Sequence, residues 1–390
     1  MSVLKWVLRG VGAIAGLAAI IGIWKWEEIG RLLAVNSLFA EDKIVSNFSS
    51  MDQLFLHTVL PRGDGAVSEL PQGVQLVLPD GATTWIEARN VTGLVVLHQG
   101  KLVFEEHYQG TKADDRRISW SVAKSFLSVL MGTLVDDGTI TDLDAPVTQY
   151  APSLAGGAYD AVSIRNVLQM SSGVVFDEDY LDFYSDINRM GRVLALGASM
   201  DDFAAGLTES FAVPGTDWQY VSIDTHVLGM VIRGATGRSI PDLMTERVIK
   251  PLGLEADPIY LTDGDGVAFV LGGLNLRIRD YARFGQMVLE GGQWNGHRIV
   301  SERWLAESMT ASAKTREGEQ GYGYQWWTPH DARPGEVYAH GIYSQFLYLD
   351  QAQEVVIIAT SADRGFRGAG VKAGNIDQLR QIADAAADLE

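Results

Sequence analysis

The sequence predicts an α/β protein of the α+β type, an antiparallel sheet flanked by helices and joined to an all-helical region. Three observations carry this prediction. Strand-like apolar runs occur at Leu94-Val95-Val96-Leu97 with Leu102-Val103-Phe104, and again at 345–349 and 354–360. Between them, residues 141–300 read mostly as helices with long loops. An apolar helix opens at Ser119-Trp120-Ser121-Val122-Ala123-Lys124, directly after the first strands. Strands at both ends with helices between them are satisfied by one sheet built from both ends of the chain, with a helical insertion.

Taken in order, residues 1–26 read as a membrane anchor or signal segment. Gly10 to Trp24 is uncharged and apolar, with Lys5 and Arg9 before it and Lys25 after. The unit from Trp6 to Trp26 is long enough to cross a bilayer, with tryptophans at both interfaces. Basic residues ahead of the run favour an inside N-terminus. The expectation is a membrane-anchored protein whose catalytic domain lies outside the cytoplasm, in a bacterial periplasm. Secretion after signal cleavage is the alternative, although no small-x-small site directly follows the run. Residues 27–84 read as a connecting arm with a helix over 29–38 and turns at Pro61-Arg62-Gly63 and Leu70-Pro71-Gln72-Gly73. Residues 85–390 form the main domain. There Gln99-Gly100 turns a hairpin, and the Ser121 helix runs to Asp136-Asp137-Gly138. Helices are expected over 142–150, 164–170, 225–234, 280–289 and 376–389, and a turn at Asp350-Gln351 joins the last strands.

Composition removes several function classes. The chain has 390 residues and a formal net charge of -18, from 49 acidic and 31 basic residues. That balance argues against nucleic acid as a partner. There are no cysteines, which excludes disulfides, thiol nucleophiles and thiolate metal sites. The seven histidines lack any H-E-x-x-H or comparable spacing, so no metal is expected. Asp263-Gly264-Asp265-Gly266 lacks the later ligands of a calcium loop and reads as a turn. No G-x-S-x-G elbow is present, which disfavours a Ser-His-Asp α/β-hydrolase.

The chemistry points to Ser121 and Lys124. A spacing of three brings both side chains to one face of a helix's first turn. There a neutral lysine can take the serine proton, and the helix N-terminus favours an oxyanion and lowers the lysine pKa. The pattern alone is weak, since Ser2…Lys5 repeats it by chance and Ser121 could be a helix cap. A second proton-handling group is offered by Tyr220-Val221-Ser222, which follows a Pro-Gly loop; a phenol beside a lysine ammonium is expected to have a lowered pKa. A second oxyanion donor is offered by Ala339-His340-Gly341-Ile342-Tyr343, where Gly341 would let a carbonyl approach and the Ile342 amide would join that of Ser121.

These motifs, in this order and spacing, resemble the penicillin-recognising serine hydrolases, the group of class C β-lactamases, D-Ala-D-Ala peptidases and related esterases. Within that group the chain is similar to the 6-aminohexanoate-dimer hydrolases and their carboxylesterase relatives. The resemblance spans about residues 85–385. It rests on Ser121 to Phe126, Asp177-Glu178-Asp179-Tyr180, Tyr220-Val221-Ser222, Asn275 to Gly285, Gln325-Trp326-Trp327 and Gly341 to Gln345. It implies a β-lactamase-like fold, Ser121 as nucleophile, Lys124 as its base, Tyr220 as proton relay, and an oxyanion hole from the Ser121 and Ile342 amides. Tyr180 would contact an amide substrate. Trp326 and Trp327 would lie near the cleft, and His340 at its rim. No cofactor is implied, and the partner is a small-molecule ester or amide.

The chain also departs from the pattern. Ala339-His340-Gly341 replaces the family's Lys-Thr/Ser-Gly, so no cation for a substrate carboxylate is evident in the sequence. Ser222 replaces the amide side chain that would grip an acylamido group. Both changes favour an esterase or linear amidase. A catalytically idle penicillin-binding-like envelope module and a D-Ala-D-Ala peptidase or β-lactamase remain the alternatives.

Overall fold

The computed structural model describes residues 6–9 and 24–389. Residues 10–23 of the apolar N-terminal run lie outside the described residues, and with them most of the expected anchor. Among the described residues no helix is long and apolar enough to cross a membrane.

The first strands are β1 (His57–Val59), β2 (Val91–His98), β3 (Lys101–His107) and β4 (Arg117–Ile118). Further on come β5 (Ile259–Leu261), β6 (Leu274–Leu276) and a small hairpin, β7 (Gln293–Trp294) with β8 (His297–Arg298). The last five are β9 (Gly321–Tyr322), β10 (Trp327–Thr328), β11 (Glu336–Gly341), β12 (Gln345–Asp350) and β13 (Val355–Ser361). Seven of them form an antiparallel sheet in the order β3-β2-β13-β12-β11-β10-β9. The two ends of the chain thus meet at the β2–β13 pair, as the sequence pattern predicts.

Alternation along these strands feeds two cores. Leu94, Val96, Phe346, Tyr348 and Ile357 face Ile376, Leu379 and Ile382 of the C-terminal helix α6 (Val371–Ala387). Val95, Leu97, Leu347, Leu349 and Ile358 face the larger core, which holds α2 (Ala123–Asp136) and α5 (Ile278–Leu289). Burial on both faces is why the central strands appear in the sequence as unbroken apolar runs. Inside this core Phe126 of α2 stacks on Phe284 of α5 with ring centroids 3.5 Å apart.

Two sequence expectations change. Residues 142–150 hold only a 3-10 turn, Val147–Gln149. Asp142 Oδ1 accepts the Asp144 amide at 2.8 Å and Pro146 is extended, so the local turn chemistry there defeats the helix. The segment read as a connecting arm, for its part, packs into the core. After α1 (Trp26–Ser37), Leu38, Ile44, Phe48, Met51, Phe55 and Leu60 are all buried. β1 then pairs with β5 in a second antiparallel sheet, β1-β5-β6-β4, whose last strand leads into Ser121.

Candidate active site

The route from β4 to α2 sets the position of Ser121. Trp120 has a φ of +44°, a left-handed conformation rare for a bulky side chain and common at functional turns. It turns the chain into a 3-10 turn, Trp120–Val122, which runs straight into α2. Ser121 therefore sits just ahead of the α-helix and not inside its first turn. The arm holds this turn in place. Phe39 and Phe48 pack on the Trp120 ring at 5.7 and 5.5 Å, and the Ile118 amide donates to the Phe48 carbonyl at 3.1 Å.

Lys124 Nζ donates to Ser121 Oγ at 3.1 Å and to the Leu271 carbonyl at 2.7 Å. Lys124 is almost fully buried, and that burial lowers its pKa to about 7, opposed by the nearby negative charge of Glu178. Loss of hydration, more than the helix terminus, is what makes a neutral amine available near neutral pH. The Leu271 carbonyl comes from the loop between β5 and β6, just before Gly272-Gly273. An added Cβ on Gly273 would lie 2.8 Å from the Phe269 carbonyl, so this loop is packed against its own backbone.

Tyr220 joins the pair: Lys124 Nζ lies 5.5 Å from its ring centroid. The ring stacks on Trp327 at 5.3 Å. The expected lowering of the phenol pKa does not hold. Burial first, then the charge of Glu178, raise it above its ordinary range, and hydrogen bonding to Ser121 and Ser222 offsets this only in part. Tyr220 is thus a neutral phenol, able to donate a proton it can then recover.

Glu178 is the group that sequence reasoning passed over. Its carboxylate accepts from the Ser222 amide at 3.0 Å, from the Ser222 hydroxyl and from the Tyr180 hydroxyl. Burial raises its pKa, while attraction to Lys124 and these hydrogen bonds oppose the rise. Ser222 opens α4 (Ser222–Thr236) and is buried, with both its amide and its hydroxyl donating to Glu178. Because the negative charge of Glu178 favours protonated Lys124, Glu178→Gln is expected to move the rising limb of a pH–kcat/KM profile to lower pH. A limb that stays in place or moves up would remove Glu178 from the electrostatics of the pair.

Gly341 ends β11, whose neighbour β10 pairs with it only through Trp327 and Tyr338. At the site end β11 stays paired with β12, Gly341 opposite Gln345, and among the described residues it has no β10 partner there. A Cβ at Gly341 would lie 2.7 Å from the Ser119 carbonyl, 2.9 Å from Trp120 Cβ and 3.1 Å from the Ser121 amide nitrogen. Only glycine lets β11 come this close to the turn that carries Ser121. Ile342 follows, and Tyr343 and Ser344 turn the chain into β12 with φ of +59° and +62°. Gly341→Ala is expected to lower kcat about 100-fold by forcing the two segments apart. Unchanged kcat for that variant would show that the approach does not matter to turnover.

The remaining expected residues divide. Trp326 is fully buried and stacks on Phe284, so it belongs to the core. Trp327 lines the cleft with Tyr180 and His340. Burial and the neighbouring Lys372 lower the His340 pKa, which keeps its imidazole neutral.

Ser121 lies between two cavities, and Tyr180 and Ile342 also line both. One, of about 290 Å³, has Phe39, Phe55, Phe269 and Leu271 in its wall, with Ile187, Met190 and Arg192 of α3 (Asp186–Leu196). The other carries Tyr220, Glu178, Gln219, His340, Arg367 and Lys372.

Comparison with known proteins gives a consistent picture. Residues 83–381 match the family model described as Beta-lactamase. The chain is 31% identical over 334 residues to the 6-aminohexanoate-dimer hydrolase of Paenarthrobacter ureafaciens, covering 81% of this chain and 84% of that protein. It is 33% identical over 147 residues to the esterase EstB of Burkholderia gladioli, covering 34% of this chain and 36% of EstB. A Bacillus anthracis protein solved as a candidate 6-aminohexanoate-dimer hydrolase superposes with a TM-score of 0.79 at 22% identity, over 90% of this chain and 96% of that one.

Proposed function

The chain belongs to the β-lactamase family of serine hydrolases, and from that premise we propose that it cleaves ester or small linear amide bonds through an acyl-enzyme on Ser121. The observation that carries this reading is the 3.1 Å contact between Ser121 Oγ and a lysine whose pKa lies at about 7. Lys124 takes the Ser121 proton as Oγ attacks the substrate carbonyl carbon. The negative charge that develops on the carbonyl oxygen is received by the Ser121 and Ile342 amides. Tyr220 gives its proton to the departing alcohol or amine as the bond to carbon breaks, and Lys124 restores that proton. Water then attacks the acyl carbon and loses a proton to the same pair. The acid leaves, and Ser121 regains its hydrogen.

Ester and amide activities among the named relatives support this choice of bonds without selecting between them. The test is direct. A fluorophosphonate should label the peptide containing Ser121, and p-nitrophenyl butyrate should turn over, with 6-aminohexanoate dimer as the amide to try next. Labelling with no turnover of any ester would favour an idle binding module. Rapid hydrolysis of nitrocefin would move the reading to a β-lactamase. We further propose that residues 6–26 anchor the protein in a membrane with this site outside the cytoplasm. Recovery of the full-length chain in the soluble fraction after cell lysis would sink that proposal.

A further inference from the structure

The cavity of about 290 Å³ is walled in part by the arm. Val35 of α1, then Leu38, Phe39, Met51 and Phe55, line it together with Ser121 and Ile342. Leu38, Met51 and Phe55 are buried, so this wall belongs to the packed fold. Arg31 fastens α1 to α3, its Nε donating to the Ala195 carbonyl at 2.7 Å, and Met190 and Leu194 of α3 also line the space. The arm precedes residues 83–381, so its wall lies outside the part of the chain that the family match covers. Charge here is confined to one group. Among the described residues no carboxylate lines the cavity, and its one charged side chain is Arg192. That guanidinium lies 4.0 Å from the Phe183 ring centroid, and its Nη1 donates to the Phe183 carbonyl at 2.7 Å. Phe183 and its neighbour Leu181 are exposed, which puts the cation at the rim. Such a wall gives an ammonium no partner, whereas an alkyl chain gains by leaving water.

The two cavities also differ in which half of a substrate they can take. On the reaction proposed above, Tyr220 protonates the departing group. Tyr220 lines the other cavity and is absent from this one, while Ser121 and Ile342 line both. The leaving half therefore lies toward Tyr220 and the acyl half beside the arm. Resting on that reading, we infer that the acyl half of the natural substrate is an uncharged alkyl chain of medium length, and that the N-terminal arm sets how long it can be. At the roughly 30 Å³ that a water molecule takes in the liquid, the cavity has room for roughly ten groups of that size, the length of an octanoyl chain. The substrate class is an ester or linear amide of a medium-chain fatty acid. Attack forms the ester bond to Ser121 Oγ and breaks the bond to the alcohol or amine, which leaves with the Tyr220 proton. The chain then stays in the cavity until water releases the acid.

A series of p-nitrophenyl esters tests this with the full-length protein. From acetate to octanoate, kcat/KM should rise about two- to fourfold per methylene, the worth of a CH₂ group leaving water. A flat or falling series in a parent that cuts the acetate would overturn the inference and leave the hydrolase reading standing. The heptanoate and 6-aminohexanoate esters have chains of equal length, one ending in a methyl and the other in an ammonium. The parent should favour the heptanoate by about tenfold or more, and a ratio near one would overturn the inference. Val35→Trp fills the arm side of the cavity and should lower the octanoate-to-acetate ratio of kcat/KM by about tenfold. If that variant does not fold, Val35→Phe should lower the ratio by about threefold. A ratio that neither changes would take the arm out of chain-length selection and overturn the inference. If the parent cuts none of these esters, the hydrolase reading fails by itself. Calorimetric binding of octanamide to the parent, weakened in the folded Val35 variant, would still establish the alkyl site, and equal binding or none would remove it.

Discussion

Ser121→Ala is expected to lower p-nitrophenyl butyrate hydrolysis by at least about 10³-fold while leaving the protein folded. The size follows from the loss of the covalent route, since no other hydroxyl shares a hydrogen bond with Lys124 Nζ among the described residues. Folding should be little affected. The substitution removes one oxygen at the edge of a cavity, and Lys124 keeps its bond to the Leu271 carbonyl. Most such changes alter stability by less than about 0.5 kcal/mol. The measurement is kcat/KM for parent and variant beside their thermal midpoints. Equal rates in a folded variant would remove Ser121 as nucleophile and the acyl-enzyme with it.

How much of this was legible in the sequence depended on what kind of physics placed each group. The central strands were legible because burial on both faces writes a continuous apolar run, as in Leu94 to Leu97 and Val355 to Ala359. The short strands β9 and β10 were not, because two residues each carry no period. Ser121 and Lys124 were legible because one turn of chain brings them together. Tyr220 and Gly341 were offered by local pattern, but tying them to Ser121 took the family resemblance, since their approach to it is set by tertiary packing. Glu178 lay hidden in the acidic run Asp177-Glu178-Asp179, which reads as a solvated loop until Ser222 and Tyr180 close over it. Lys372 was masked in the same way, one basic residue in a glycine-rich stretch at the start of α6. The Leu271 carbonyl has no side-chain signature at all. Gly272-Gly273 marked the place, but only as a break in the chain. The arm misled for a further reason. Phe39 and Phe48 look like scattered apolar residues, and their purpose appears only when Trp120 and Tyr343 are seen packed on them.

Lys124→Met should separate what this residue does for catalysis from what it costs the fold. With the amine as base, the variant is expected to lose about 10²–10⁴-fold in kcat/KM, the range for removing a positioned proton acceptor. In the parent, kcat/KM should rise with pH through about 7, because protonated Lys124 cannot accept the Ser121 proton. The variant's residual activity should lack that limb. The relative stability of the two should also depend on pH. Folded Lys124 titrates at about 7 against an ordinary lysine value of 10.5, so between these pH values the unfolded chain binds the extra proton and the folded one does not. The penalty of burying the amine is therefore complete below about pH 7 and fades as pH rises toward 10.5. Unfolding free energy of the parent should climb relative to Lys124→Met across that window, by an amount on the order of a few kcal/mol. Taking the difference cancels titrations shared by both proteins. It also cancels the fixed cost of leaving the Leu271 carbonyl without its donor. A difference that is flat with pH would mean Lys124 stays protonated in the folded protein. Ser121 would then need another base, and the rate limb near pH 7 should be missing as well. Both readouts test one fact, that the fold holds an amine dry enough to be neutral beside a serine, at a standing cost in stability that only the chemistry explains.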